Sequence, residues 1–182
     1  MLTMVAFGMG QSSKAPLPWV EMVVEGRGSI FVELRPDQAP KLVKHFLSLV
    51  NQGFYDGQLF HRKVDNFVLQ GGDPESKKWT PAQARKNPGE SGGTKGLGDG
   101  GSGTTVPYEI NDLIHDKYTV GIALESPMSD TGDSQFFINL KDNHRLNGLY
   151  VVFGRVVDGM DVVDKCQRGD RIVEIKRTRS RQ

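Results

Sequence analysis

The sequence predicts a mainly β domain with few helices, and three observations lead there. Apolar and polar residues alternate with a period of two in many short segments, whereas only two segments place apolar residues at helical spacing. Glycine, proline, asparagine and aspartate punctuate the chain at short intervals, as turns between strands require. Counting along the chain gives roughly eight short strands and two helices. Many strands with few helices close into a sandwich or a barrel, and alternation alone does not choose between them.

Composition narrows the class. The 182 residues suffice for one domain with a real core. A net charge of +1 demands neither nucleic acid nor an acidic surface as partner. With 37% hydrophobic and 25% charged residues the chain reads as globular. Cys166 is the single cysteine, so no intrachain disulfide forms, which fits a reducing compartment. No apolar run has the length of a membrane span. A monomer in the cytoplasm is the expectation.

In chain order, residues 1–18 form a tail. Residues 1–9 are mostly apolar, but no basic residue precedes them and the run is short. The segment is therefore read as loosely docked; as the remnant of a secretory signal it would instead imply export to a periplasm. A single domain follows over residues 19–176. Residues 19–34 read as a hairpin, with Val20, Met22 and Val24 alternating on one arm, Ile30, Val32 and Leu34 on the other, and Gly26-Arg27-Gly28 as the turn. Leu42, Val43, Phe46, Leu47 and Val50 then fall at helical spacing; Pro40 suits the first turn and Gly53 the stop. His45, beside that stripe, is expected to be a solvated helix residue.

Residues 60–73 read as two short strands about a polar turn, Asp65-Asn66, with Gly71-Gly72 ending the second. Phe60, Val64, Phe67 and Leu69 alternate with the donors His61, Arg62 and Gln70. A permanent cation in this apolar surrounding needs a partner, and where no carboxylate is supplied a ligand carbonyl or amide can serve. Residues 74–106 are rich in proline and glycine and poor in apolar side chains. They are expected to be an elaborated surface loop with a short helical turn at 81–86. Gly96, Gly98 and Gly101 formally match G-x-G-x-x-G, but no strand leads in and no helix follows, so a dinucleotide cradle is rejected.

Residues 119–124 read as a strand and 126–132 as a polar loop. In residues 133–139, Gln135 and Phe137 fall on one strand face and Phe136 and Ile138 on the other. Another strand ends at 154–157. A second helix is expected over 159–168, with Met160, Val163 and Cys166 at spacing three, then a closing strand over 172–175. The basic residues 177–182 are read as a frayed, solvated end rather than a nucleic-acid-binding tail. No His/Cys/Asp cluster has ligand spacing, so neither metal nor cofactor is expected.

Three stretches carry a resemblance. Phe60-His61-Arg62 with Phe67 and Leu69-Gln70-Gly71-Gly72-Asp73, then Ser134-Gln135-Phe136-Phe137-Ile138, then Leu146, Gly148 and Tyr150-Val151-Val152-Phe153-Gly154, match in order and spacing the motifs of the cyclophilins, which are peptidyl-prolyl cis–trans isomerases. The likeness runs from about residue 20 to residue 176, and Pro107-Tyr108-Glu109-Ile110-Asn111 resembles a segment of bacterial-type members. The resemblance implies a closed eight-stranded antiparallel barrel with a helix capping each end and a groove on its outer face. It implies isomerisation of Xaa-Pro bonds in proline-containing peptides and unfolded proteins during folding; the alternative is a module that binds such peptides without turning them over.

By the same resemblance Arg62 is the catalytic residue. Phe67, Phe137 and Leu146 form the proline pocket, Gln70 bonds the substrate backbone and braces the arginine, and Gln135 precedes the pocket phenylalanines. Phe136 and Phe153 are read as core, and His61 as structural. Departures from the best-known members fall at Val68 (methionine there), Glu125-Ser126 (Ala-Asn), Arg145 (tryptophan) and Tyr150 (histidine). All five are kept as substrate-binding residues. Loss of the indole donor at Arg145 implies reduced affinity for cyclosporin, and Glu125 implies a preference for basic or polar residues before the proline.

Overall fold

The computed structural model describes residues 16–86 and 96–179. Eight strands form one antiparallel sheet: β1 Trp19–Val24, β2 Gly28–Leu34, β3 Arg62–Val64, β4 Val68–Gly71, β5 Thr119–Ile122, β6 Phe136–Asn139, β7 Val152–Asp158 and β8 Ile172–Thr178. Their spatial order is β3-β4-β6-β5-β7-β2-β1-β8. The hairpin at 19–34 forms as expected, with Val20, Met22 and Val24 facing Ile30, Val32 and Leu34 in one core.

The eighth seam, between β3 and β8, is not a full ladder. It is one bridge, Leu59↔Arg171, flanked by Phe60 N–H to Asp170 O (2.9 Å) and Ile172 N–H to Gln58 O (2.8 Å). The sheet therefore curls into a barrel whose last edge is sealed by the segment leading into β3. That pairing leaves no continuous exposed edge at the seam.

The core is built from the alternate residues of these strands. Its centre is aromatic: Phe46 lies 5.2 Å from Tyr55, 6.0 Å from Phe136 and 5.2 Å from Phe153, centroid to centroid. Helix α1, Pro40–Asn51, supplies Leu42, Val43, Phe46, Leu49 and Val50 to it. Its first N–H groups are bonded from a distance: Glu109 accepts from Lys41 N (3.0 Å) and Leu42 N (2.8 Å). A carboxylate at a helix N-terminus satisfies orphan donors and complements the dipole.

Several expectations need correction. His45 is not solvated: its side chain is 12% exposed and Nε2 lies 3.7 Å from Asp133 Oδ1. Residues 74–106 contain the short helical turn expected at 81–86, which is helix α2, Pro81–Lys86, and in addition a 3-10 turn, Pro74–Lys78. They also build a small core of their own, in which Ala84 and Leu97 are buried against Leu59 with Trp79 beside them. The second main helix, α3 Met160–Lys165, is shorter than expected, and Val162 replaces Met160 among its buried residues. It stops because Asp170 accepts from Gln167 N (2.8 Å) and binds Arg27 (2.7 Å) and Arg85 (3.0 Å), organising a turn where helix was expected. The closing strand runs on to Thr178, which pairs with Trp19, so two residues of the expected tail belong to the sheet. The expectation for residues 1–15 lies outside the described residues. Among the described residues no helix is long and apolar enough to cross a membrane.

Candidate active site

Strands β3, β4, β5 and β6 present one face to the core and the other to a groove. Arg62 sits directly opposite Gln70 in the β3–β4 ladder, and Gln70 sits opposite Phe137 in β4–β6. Because side chains alternate along a strand, these three share the outer face. Phe136 and Ile138 point inward, fully buried, as expected.

The groove has two adjoining cavities. One, of about 200 Å³, is lined by Arg62, Phe67, Val68, Gln70, Ala123, Leu124, Phe137, Leu146 and Tyr150. Its floor is the Phe137 ring, which lies over Gly121: a Cβ at Gly121 would come within 2.5 Å of Phe137 Cζ. Tyr150 packs edge-on against Phe137 at 6.2 Å. The other cavity, of about 600 Å³, shares Gln70, Ala123 and Leu124 with the first. It is lined further by Glu125, Gln135 and the loop residues Gly98, Asp99, Gly100 and Gly101.

Arg62 is half-buried, and among the described residues no carboxylate pairs with it. Its Nη1 donates to Gln70 Oε1 at 3.3 Å. Gln70 Nε2 donates to Gln135 Oε1 at 3.0 Å, and Gln135 Nε2 donates to the carbonyls of Gly98 and Gly100, each at 2.8 Å. The guanidinium also lies 5.8 Å from the Phe67 ring centroid, while that of Arg145 lies 4.8 Å from the same ring. The mouth of the small cavity is thus cationic and its interior apolar.

Of the expected residues, Arg62, Phe67, Val68, Gln70, Phe137, Leu146 and Tyr150 line the small cavity, and Gln70, Gln135 and Glu125 the large one. Arg145 stacks on Phe67 at the rim. Ser126 lines neither cavity; its carbonyl accepts from Ser129 Oγ (2.7 Å) in the exposed 126–131 loop. Ala123 and Leu124 went unrecognised as walls, having no polar group to mark them.

A buried network behind the small cavity was also missed. Asn143 Nδ2 donates to Phe67 O (2.9 Å) and Asn139 Oδ1 (2.8 Å), and Asn139 Nδ2 reaches His115 Nδ1 at 3.1 Å. His115 Nε2 reaches Tyr150 O (3.1 Å), and its ring stacks on Phe137 at 5.7 Å. A carbonyl needs a donor, so Nε2 carries the proton and Nδ1 accepts. Burial holds the His115 pKa below its ordinary value, which keeps this tautomer neutral. Only the local pairing of Asn143 with His115 in space, not in sequence, reveals the role.

His61, one residue before Arg62, lies against Gly98 of the loop. It is 3% exposed, and neither ring nitrogen has a hydrogen-bond partner. Burial, then the charges of Arg168 and Arg62, push its pKa down to about 4.

Known proteins resemble the chain along most of its length. The family model described as "Cyclophilin type peptidyl-prolyl cis-trans isomerase/CLD" matches residues 19–180. Peptidyl-prolyl cis-trans isomerase B of Bacillus subtilis is 34% identical over 154 residues, covering 85% of this chain and 94% of its own. Peptidyl-prolyl cis-trans isomerase cyp18 of Streptomyces antibioticus is 39% identical over 149 residues, covering 75% of this chain and 76% of its own. A crystal structure of a cyclophilin-type isomerase from Cryptosporidium parvum superposes with a TM-score of 0.73 at 26% identity, covering 91% of this chain and 99% of that one. A second structure of it, in the presence of the dipeptide Ala-Pro, gives 0.71 at 27% identity, covering 89% and 99%. With its curled eight-stranded sheet and its outer-face groove, the chain belongs to the cyclophilin-type peptidyl-prolyl cis–trans isomerases.

Proposed function

We propose that isomerisation takes place in the groove over β3–β6, with Arg62 as the catalytic residue and proline-containing segments of unfolded proteins as substrate. The observation that carries this is Arg62 itself. It is a guanidinium at the mouth of an apolar cavity, tethered by a neutral amide at 3.3 Å and matched to no carboxylate among the described residues.

The chemistry follows from the peptide bond. Resonance holds the C–N bond planar behind a barrier of about 18–20 kcal/mol. At the twisted transition state that resonance is gone, and the prolyl nitrogen becomes pyramidal and regains a lone pair. An N–H donor aimed at that nitrogen binds the transition state more tightly than either ground state, which is the condition for catalysis. No σ bond is made or broken, so no nucleophile or base is called for.

Magnitudes divide the labour. A charge-assisted hydrogen bond contributes about 1.5–3 kcal/mol, or roughly one to two powers of ten in rate. An acceleration of ~10⁶-fold needs about 8 kcal/mol. The rest comes from the apolar cavity of Phe67, Phe137 and Leu146, which holds the ring, and from donors fixed in a poorly solvated groove. The Ala-Pro dipeptide with the Cryptosporidium relative supports the view that this groove takes proline-containing peptides.

The test is an isomerase assay on a short Xaa-Pro peptide. Wild type is expected to be fast and Arg62→Ala, still folded, to lose at least ~10-fold in kcat/KM with little change in KM. A wild type that binds the peptide but only matches the uncatalysed rate makes the groove a docking site instead.

A further inference from the structure

We propose that Asp73 is a positioning residue for the isomerase: it holds the 98–100 segment so that two loop carbonyls orient Gln135, and through Gln135 and Gln70 the guanidinium of Arg62. The inference rests on the assignment of catalysis to Arg62.

A glutamine amide can face a neighbour with either its oxygen or its nitrogen, and the two ends differ little in shape. The relay Arg62–Gln70–Gln135 therefore has two possible polarities. Only one suits Arg62, which has donors alone and needs the oxygen of Gln70 toward it. The choice is made at the far end. Gln135 Nε2 has two carbonyls to donate to, Gly98 O and Gly100 O, both at 2.8 Å. That turns Gln135 Oε1 toward Gln70, makes Gln70 Nε2 the donor and leaves Gln70 Oε1 for Arg62. Were the carbonyls withdrawn, Gln135 would be free to rotate, and Gln70 could present its NH₂ to the guanidinium, donor against donor.

Asp73 fastens that end. It is fully buried. Its Oδ2 accepts from Gly98 N at 2.6 Å, between the two carbonyls and the body of the domain. Its Oδ1 accepts from Glu75 N at 2.8 Å, which anchors the carboxylate to the 3-10 turn. The glycines fit this purpose. Gly98 has φ +105°, and a Cβ at Gly100 would overlap Asp73 Oδ1. The backbone of the run Gly96–Gly101 thus closes on a carboxylate.

The experiment compares wild type, Asp73→Asn and Gly100→Ala in the peptide isomerase assay, with the side-chain amide 1H–15N signals of Gln70 and Gln135 recorded for each. Asp73→Asn replaces one acceptor by a donor facing an N–H; Gly100→Ala keeps the carboxylate and crowds it. Both are expected to lose ~10-fold in kcat with KM nearly unchanged, and to shift both glutamine signals. Wild-type kcat and wild-type glutamine signals in the two folded variants overturn the proposal. If Asp73→Asn does not fold, Gly100→Ala decides alone, on the same readouts. A wild type without isomerase activity overturns the catalytic assignment, whereas the glutamine signals still report whether Asp73 sets the relay.

Discussion

Arg62 and Gln70 are cross-strand partners in the β3–β4 ladder, and the hydrogen bond between their side chains, Nη1 to Oε1 at 3.3 Å, is the guanidinium's tether. Opposed residues on one face of an antiparallel pair stand close enough to interact directly. The turn between them, with Asn66 at φ +54°, fixes the register on which that meeting depends.

The tether has a measurable consequence. Gln70→Leu keeps the volume and removes both the acceptor for Arg62 and the donor for Gln135. A fall of about 5- to 30-fold in kcat/KM is expected, from about 1–2 kcal/mol of lost positioning. Circular dichroism confirms the fold, and kinetics indistinguishable from wild type would sink the relay.

Arg145 bears on inhibition. Its guanidinium stacks over Phe67 at 4.8 Å, where the best-known relatives hold an indole donor. Losing a hydrogen bond to a buried acceptor costs about 1–3 kcal/mol, so cyclosporin is expected to inhibit ~10- to 100-fold more weakly than it inhibits those relatives. Arg145→Trp should recover most of the difference in an inhibition titration. Nanomolar inhibition of the wild type contradicts this reading.

The large cavity bears on substrate choice. Asp99, Glu125 and Asp133 line it, and among the described residues no lysine or arginine does. Two of these acids are engaged locally: Asp133 takes Gly103 N–H (3.0 Å) and the Ser102 hydroxyl, and Asp99 takes Gly96 N–H (3.1 Å). Glu125 stands at the exposed rim. Exposed pairs contribute about 0.2–1 kcal/mol, so peptides with lysine before the proline should exceed those with glutamate by up to about 5-fold in kcat/KM. Glu125→Gln or added salt should shrink the ratio. Equal rates for the two peptides at low salt would remove the charge argument.

His61 makes stability depend on pH. Its pKa, ordinarily 6.5, is pushed down to about 4, first by burial and then by Arg168 and Arg62. Between those values the unfolded chain binds a proton that the folded chain refuses. Stability is therefore full above pH 6.5, falls by about 3 kcal/mol as pH drops toward 4, and levels below that. His115, shifted in the same direction by burial, adds to the same slope. Burial raises the Asp73 carboxyl above 3.8, which acts with opposite sign at the acid end. Urea unfolding at several pH values, wild type beside His61→Gln, isolates the His61 share. The variant should show the flatter profile; two parallel profiles would rule His61 out as the source.

Much of the site was legible because strands alternate. In Gln135-Phe136-Phe137-Ile138 the period of two alone separates groove from core, and the structure places Phe137 in the cavity and Phe136 in the aromatic cluster. The tight turn at Asp65-Asn66 made Arg62 and Gln70 neighbours by local rules. The loop over 74–106 was harder to read. Its apolar residues Trp79, Ala84 and Leu97 are too widely spaced to form a pattern, and only packing against Leu59 makes them a core.

The sequence by itself determined the strands, the first helix and the groove-facing side chains, Arg62 among them, because each rests on periodicity, on turn chemistry or on motifs whose spacing is short. Tertiary structure decided the rest. It brought Glu109 to the start of α1, folded His45 inward to Asp133 and joined Asn143, Asn139 and His115 behind Phe137. It also closed Gly98 and Gly100 upon Asp73 and Gln135. Most of these contacts join residues distant along the chain, each through one or two hydrogen bonds or an ion pair. Such bonds have no period, and a polar side chain's partner is known only when folding has removed water from between them.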